Sequence, residues 1–145
     1  MTDDLLQRVA DELEIRNLIY RLAMLADDGD LDEYVSLFTA DGLWERRLPG
    51  AGSPPTAPIR GRDNLLAAAR QRRADGVQGP GTHMYHCIVG TAVKLQGDAA
   101  TARSYLTYLK NANDKPEVAL LAIYSDEFVR TSEGWRLAAR HIDPG

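Results

Sequence analysis

The sequence predicts an α+β domain in which helices come first and an antiparallel sheet follows. From Asp4 to Leu25 the apolar residues Leu5, Val9, Leu13, Ile15, Leu18, Ile19, Leu22 and Leu25 recur at three- and four-residue steps, the period of an amphipathic helix. Beyond His83 the chain turns to Val, Ile, Tyr and Thr, broken by short turn signals, which is the pattern of strands. Helices followed by a run of strands is the α+β order. With 145 residues the chain forms one domain, 1–145, large enough to bury a sizeable core.

Taken in order, the first helix covers Asp4 to Leu25. Asp30 with Glu33 reads as a capping box that opens a second, short helix through Tyr34, Val35, Leu37 and Phe38. Asp41-Gly42 ends it, and a strand starts at Leu43. Arg47 to Gly61 holds four prolines and three glycines, so neither helix nor central strand can run through it. It is long for a loop in a compact domain, and loops of this length are commonly either lids or disordered. Helix returns from Asp63 to Arg73, and the glycine-rich stretch Ala74 to Thr82 closes it. Strands follow over His83–Leu95, Thr101–Leu109, Val118–Thr131 and Trp135–Ile142. Their separators are short, so the strands form an antiparallel meander. Val118 to Tyr124 is almost wholly apolar rather than alternating, which predicts burial on both sheet faces. One face covers the helices, and the other is expected to meet a second copy in a homodimer.

Composition narrows the function. There are 17 basic and 21 acidic residues, a formal charge of −4, and no basic stripe for a nucleic-acid backbone. No apolar run approaches the roughly 20 residues of a membrane helix, and the acidic start does not resemble a secretory signal. Cys87 stands alone and no paired-Cys zinc pattern occurs, which fits a reducing, cytoplasmic setting. Nucleic acid and membrane are therefore not expected partners.

The groups able to do chemistry are few. His83 and His86 are three apart in a predicted strand, so they point to opposite faces and make a poor joint metal site. His86 shares a face with Met84 and Ile88, where an imidazole is either a hydrogen-bonded core residue or, with a carboxylate partner, a proton carrier near neutral pH. Tyr20 and Asp27, seven apart on the helix, project the same way. The apolar stripe near Leu18 and Leu22 lies on the far side, so periodicity makes Asp27 an exposed acid. Tyr105 and Tyr108 fall on opposite strand faces, so at most one lines an interior. Arg70, Arg72 and Arg73 read as a solvated helix face. His141, in phase with Trp135 and Leu137, reads as interior.

A family pattern bears on these choices. Ala26-Asp27-Asp28-Gly29-Asp30-Leu31-Asp32-Glu33-Tyr34 and Leu37-Phe38-Thr39-Ala40-Asp41-Gly42-Leu43-Trp44 resemble the opening of SnoaL-like proteins of the nuclear transport factor 2-like superfamily. The likeness continues through Ile59-Arg60-Gly61-Arg62-Asp63, His86 and Gly97-Asp98. It ends with Tyr124-Ser125-Asp126-Glu127-Phe128-Val129-Arg130 and Gly134-Trp135-Arg136-Leu137. The resemblance implies a cone-shaped barrel, a curved antiparallel sheet wrapped around N-terminal helices with a pocket inside. Members include polyketide cyclases, scytalone dehydratase-like and bile-acid dehydratase-like lyases, a dehydrochlorinase and steroid isomerases. In the dehydratase-like branch an Asp after the first helix orients a His on the sheet. Asp27 and His86 match those two residues, whereas the customary tyrosine position falls nearer Leu22 than Tyr20.

The first expectation is thus a cofactor-independent lyase or isomerase acting on a small hydrophobic, cyclic molecule, with Asp27 and His86 catalytic. Tyr20, Met84, Tyr105 and Trp44 would line its cavity, and neither metal nor organic cofactor is needed. The alternatives are a non-catalytic small subunit like those of ring-hydroxylating dioxygenases, whose β subunits resemble the Asp126–Thr131 and Gly134–Ala138 segments equally well, and a ligand-binding accessory domain. An inert pocket does not require Asp27 and His86 to touch, so their separation discriminates.

Overall fold

Thr2 accepts the Leu5 amide at 3.2 Å and opens helix α1, Asp3–Asp28, with Asp3 and Asp4 in the favourable first turn. A computed structural model describes residues 2–47 and 57–145 of the chain. The buried stripe of α1 is Asp11, Ile15, Leu18, Ile19, Leu22 and Ala26, at helical spacing. Gly29 stops the helix by donating to Leu25 O, and a Cβ there would lie 2.6 Å from Leu25 Cδ2, so a larger residue would not fit. Asp30 then caps α2, Leu31–Ser36, through the Asp32 amide at 2.8 Å. Glu33 does not complete the predicted box; it pairs instead with Arg21 at 2.6 Å.

The short helix is shorter than predicted. It ends at Ser36, and strand β1 occupies Phe38–Arg46, with Asp41-Gly42 inside the strand rather than before it. The reason is a register shift between Phe38 and Leu43, which absorbs the turn-forming pair as an irregularity of the strand. Of the Pro/Gly-rich stretch, 48–56 lies outside the described residues. Its end, Ile59–Arg60, forms β2 against Leu43 and Trp44, and α3 follows over Arg62–Ala74. Strands β3 (Tyr85–Gln96), β4 (Ala99–Lys110), β5 (Glu117–Thr131) and β6 (Gly134–Pro144) form the expected meander. β3 begins two residues later than predicted, because His83 takes a positive φ of 56° that no strand residue adopts.

The sheet order is β2-β1-β6-β5-β4-β3. It is mixed rather than wholly antiparallel, since β1 runs parallel to β6. Short turns dictate antiparallel pairing only for β3 to β6; β1 reaches β6 across most of the chain and is free of that constraint. The ends of the sheet, β2 and β3, do not join, so the curved layer stays open. α1 packs on β3 and β6, and α3 on β1 and β2. Ile15, Ile19, Phe38, Phe128, Trp135 and Leu137 are completely or almost completely buried between the layers. Each such side chain contributes about 1.5–3 kcal/mol of burial.

Alternation along β4 separates the two faces: Ala100, Ala102, Ser104 and Leu106 are buried, whereas Thr101, Arg103 and Tyr105 are exposed. In β5, Ala122 and Tyr124 are buried, while Val118 and Leu121 remain 63% and 50% exposed within one chain. The outer side of that apolar run is therefore open in the monomer.

Candidate active site

The last turn of α1 supplies Asp27, and the second residue of β3 supplies His86. Their side chains meet at 2.6 Å, from Asp27 Oδ1 to His86 Nδ1. Asp27 also accepts the backbone amide of His86, at 3.0 Å to Oδ2 and 3.2 Å to Oδ1. A carboxylate can only accept, so Nδ1 carries the hydrogen, and in the neutral imidazole Nε2 keeps the lone pair. Asp27 is 6% exposed, and the His86 side chain 16%. Periodicity alone placed Asp27 in solvent; the start of β3 covers it instead.

Two further contacts fix this pair. One nitrogen of Arg73, Nη2, donates to the carbonyls of Leu25 (2.9 Å), Ala26 (3.4 Å) and Gly29 (2.8 Å), tying down the end of α1 that carries Asp27. The ring of Tyr108 lies 4.5 Å from that of His86, and its hydroxyl donates to Val77 O at 2.6 Å. Burial, aided by the negative charge of Asp27, pushes the Tyr108 hydroxyl up to about 12, so it stays a neutral donor.

His86 opens onto a cavity of about 550 Å³ between the sheet and the helices. Leu22, Ala26, Leu106, Leu120 and Ile142 give it apolar walls. Tyr34, Tyr124, Tyr108 and Gln78 add polar edges, and Arg46, Arg72 and Arg140 add cationic ones. No Asp or Glu belongs to the described lining. Behind it, Arg140 forms a two-point pair with Asp126, Nε–Oδ1 at 2.8 Å and Nη2–Oδ2 at 2.9 Å, and lies 4.1 Å over the Tyr124 ring. Burial pulls the Arg140 pKa down, but the Asp126 charge and hydrogen bonds outweigh it, so this guanidinium stays charged. Burial also drives the Tyr124 hydroxyl well above its ordinary range, against the lowering pull of Arg140.

The structure brings together part of the predicted set. Trp44 and Met84 line the cavity with His86. Tyr20 does not: it is 39% exposed, one residue round the helix from buried Ile19. Tyr105 also lies away, 47% exposed on the outer face, and Tyr108 takes the inward position. His83 is exposed, on the opposite course from His86. His141 is half-buried on the outer side, 2.8 Å from Glu45, and does not reach the cavity. The arginines of α3 are not merely a solvated face, since Arg72 lines the cavity and Arg73 caps α1. Arg140, Tyr124, Tyr34 and Gln78 went unnoticed in the sequence. Alternation could have found the first two: Asp126 is in phase with Tyr124 and Phe128, and Arg140 with Ile142, which marks a buried polar pair.

Residues 7–141 match the SnoaL-like domain. The chain belongs to the SnoaL-like family. This SnoaL-like domain is 27% identical over 134 residues to the uncharacterized protein Rv2910c of Mycobacterium tuberculosis H37Rv, spanning 91% of this chain and 84% of that one. An NTF2-like protein with a cystatin-like fold from Novosphingobium aromaticivorans superposes with a TM-score of 0.81 at 27% identity, over 97% of this chain and 86% of that one. ActVI-ORFA from Streptomyces coelicolor superposes with a TM-score of 0.74 at 23% identity, over 92% and 96% of the two chains, a likeness of fold. The SnoaL-like domain thus has the α+β cone of NTF2-like proteins, with its sheet open at both edges.

Proposed function

We propose that this SnoaL-like domain is a cofactor-independent lyase or isomerase of the dehydratase or cyclase type, acting on a small hydrophobic, cyclic substrate through Asp27 and His86. The observation that carries the reading is the 2.6 Å contact between a buried carboxylate and the imidazole of His86, a residue that lines a cavity with apolar walls. Asp27 holds the tautomer and stabilises the imidazolium once it forms. His86 Nε2 removes a proton from a carbon next to a carbonyl, and the electron pair moves onto the carbonyl oxygen. Arg140 supplies positive charge to that oxygen. The imidazolium then returns the proton to another carbon, in isomerisation, or to a departing hydroxyl, in dehydration. General acid–base help of this kind gives about 10²–10⁴-fold. A structural subunit or a passive binding domain has no need of the Asp27–His86 contact, which favours the enzyme.

The test is hydrogen exchange at the acidic C–H of a bicyclic ketone, 2-tetralone, in deuterated water, followed by NMR. The protein should accelerate exchange, and His86→Ala and Asp27→Asn should each lose about 10²-fold or more while keeping the fold. Acceleration that survives both substitutions rejects the assignment.

The homodimer is likewise our proposal. Cross-strand rows Tyr85–Leu109–Val118 and Cys87–Thr107–Leu121 run along the open outer face, and Tyr85, Val118 and Leu121 are exposed there. That apolar strip supports pairing with a second copy.

A further inference from the structure

Gln78 holds a buried amide that points two ways chemically. Its Oε1 accepts from Arg72 Nε at 3.3 Å. A guanidinium can only donate, so this contact fixes which end of the amide is oxygen. The other end, Nε2, is buried and has no hydrogen-bond partner among the described residues, although Gln78 is only 6% exposed. An unmet buried donor costs about 1–3 kcal/mol. Gly79, at φ +107°, lies so close to Arg73 that a Cβ would stand 2.7 Å from Arg73 Cγ.

Arg72 is half-buried, with its outer nitrogens open to solvent. Its guanidinium stacks 5.0 Å from the Trp44 ring, which holds it in place, and its Nη1 and Nη2 donate to nothing among the described residues. Both residues line the cavity. The single Arg72–Gln78 hydrogen bond therefore has spare N–H donors on either side of it. No carboxylate belongs to the described lining, because Asp27 and Asp126 stand behind it on His86 and Arg140.

We propose that Arg72 and Gln78 form an anion-recognition subsite, and that the ligand of this cavity is a cyclic carboxylic acid whose two oxygens bridge the guanidinium and the amide. This rests on the reading of the cavity as the substrate site and names the class of molecule it takes. Charge-assisted, two-point contacts of this kind are the strong ones, and a carboxylate satisfies both sets of idle donors at once. The apolar walls accept its ring.

The experiment compares 2-naphthoate with its neutral methyl ester by calorimetry and ligand-detected NMR. The wild-type protein should bind the acid at least tenfold more tightly than the ester. Arg72→Met should cut that preference below threefold, and Gln78→Met should reduce it to about fivefold. Arg72→Lys keeps the charge but loses the planar fork, and should retain only part of the preference; it serves as the milder variant if Arg72→Met fails to fold. Equal binding of acid and ester, no binding of either, or a preference that survives both Arg72→Met and Gln78→Met overturns the proposal. His86→Ala should keep the preference for the acid. A wild-type protein that prefers the acid but does not accelerate ketone exchange thus removes the catalytic reading alone, and one that accelerates exchange without preferring the acid removes only the subsite.

Discussion

Asp126 and Arg140 are both almost entirely buried, with side chains 0% and 5% exposed, and among the described residues each is the other's only charged partner by hydrogen bond. Taking away one member leaves a bare charge in an apolar wall. Asp126→Asn should therefore destabilise the protein by about 3–5 kcal/mol, read from the midpoint of urea unfolding at constant slope. Tyr108 offers a spectroscopic check. With its hydroxyl pushed up to about 12 by burial, the difference in phenolate absorbance between wild type and Tyr108→Phe should stay flat up to about pH 11. At this scale the chain was partly legible. His86 was marked by its shared phase with Met84 and Ile88, but Asp27 was not, since it points the same way from α1 as exposed Tyr20. Two residues at one helical angle can meet different surroundings; periodicity reports the angle and not what stands opposite it.

Helix α1 is held at both ends by arginines from elsewhere. Near its start, Asp11 accepts two bonds from Arg130 at 2.7 Å each, one from the Trp135 indole at 3.0 Å and one from Gln7 at 3.0 Å. The Arg130 hydrogen bonds, against the raising effect of burial, hold its carboxyl well below the ordinary 3.8. A depressed carboxylate stabilises the fold fully above its unfolded value and loses that contribution as pH falls toward the folded one. The stability gap between wild type and Asp11→Asn should thus be constant from pH 7 to about 5 and shrink below about pH 4, as measured by thermal unfolding across that range. Asp11→Ala, which strands the fully buried Trp135 indole, should cost about 1–3 kcal/mol at pH 7. At its other end, Arg73→Met should release the carbonyls of Leu25, Ala26 and Gly29, and speed amide exchange around residues 25–30. Among the elements, the long helix and the four-strand meander were legible because their periods are long and uninterrupted. β1 was legible only from Leu43 on, because a bulge across Asp41-Gly42 breaks its first half, and β2, two residues long, was not legible. The parallel partner of β1 has no local signature at all.

For the whole molecule, the proposed homodimer turns on the outer sheet face. If two copies pair there, Leu121→Glu should yield a monomer by sedimentation equilibrium, with 2-tetralone exchange retained, because the cavity lies on the opposite face. No described helix is long and apolar enough to cross a membrane.

The parallel ladder between β1 and β6 joins residues far apart in sequence, Phe38 with Leu137 and Arg46 with Ile142. Partners so distant must wait for one another, which slows folding. β6 also brings Arg140 and Ile142, two of the residues that bound the chamber. A nascent chain still short of Trp135 thus has its helices and hairpins but no floor beneath Trp44. The chamber is complete only once Gly134–Pro144 has docked beside β1, so a deletion of that strand should remove the walls that Arg140 and Ile142 provide.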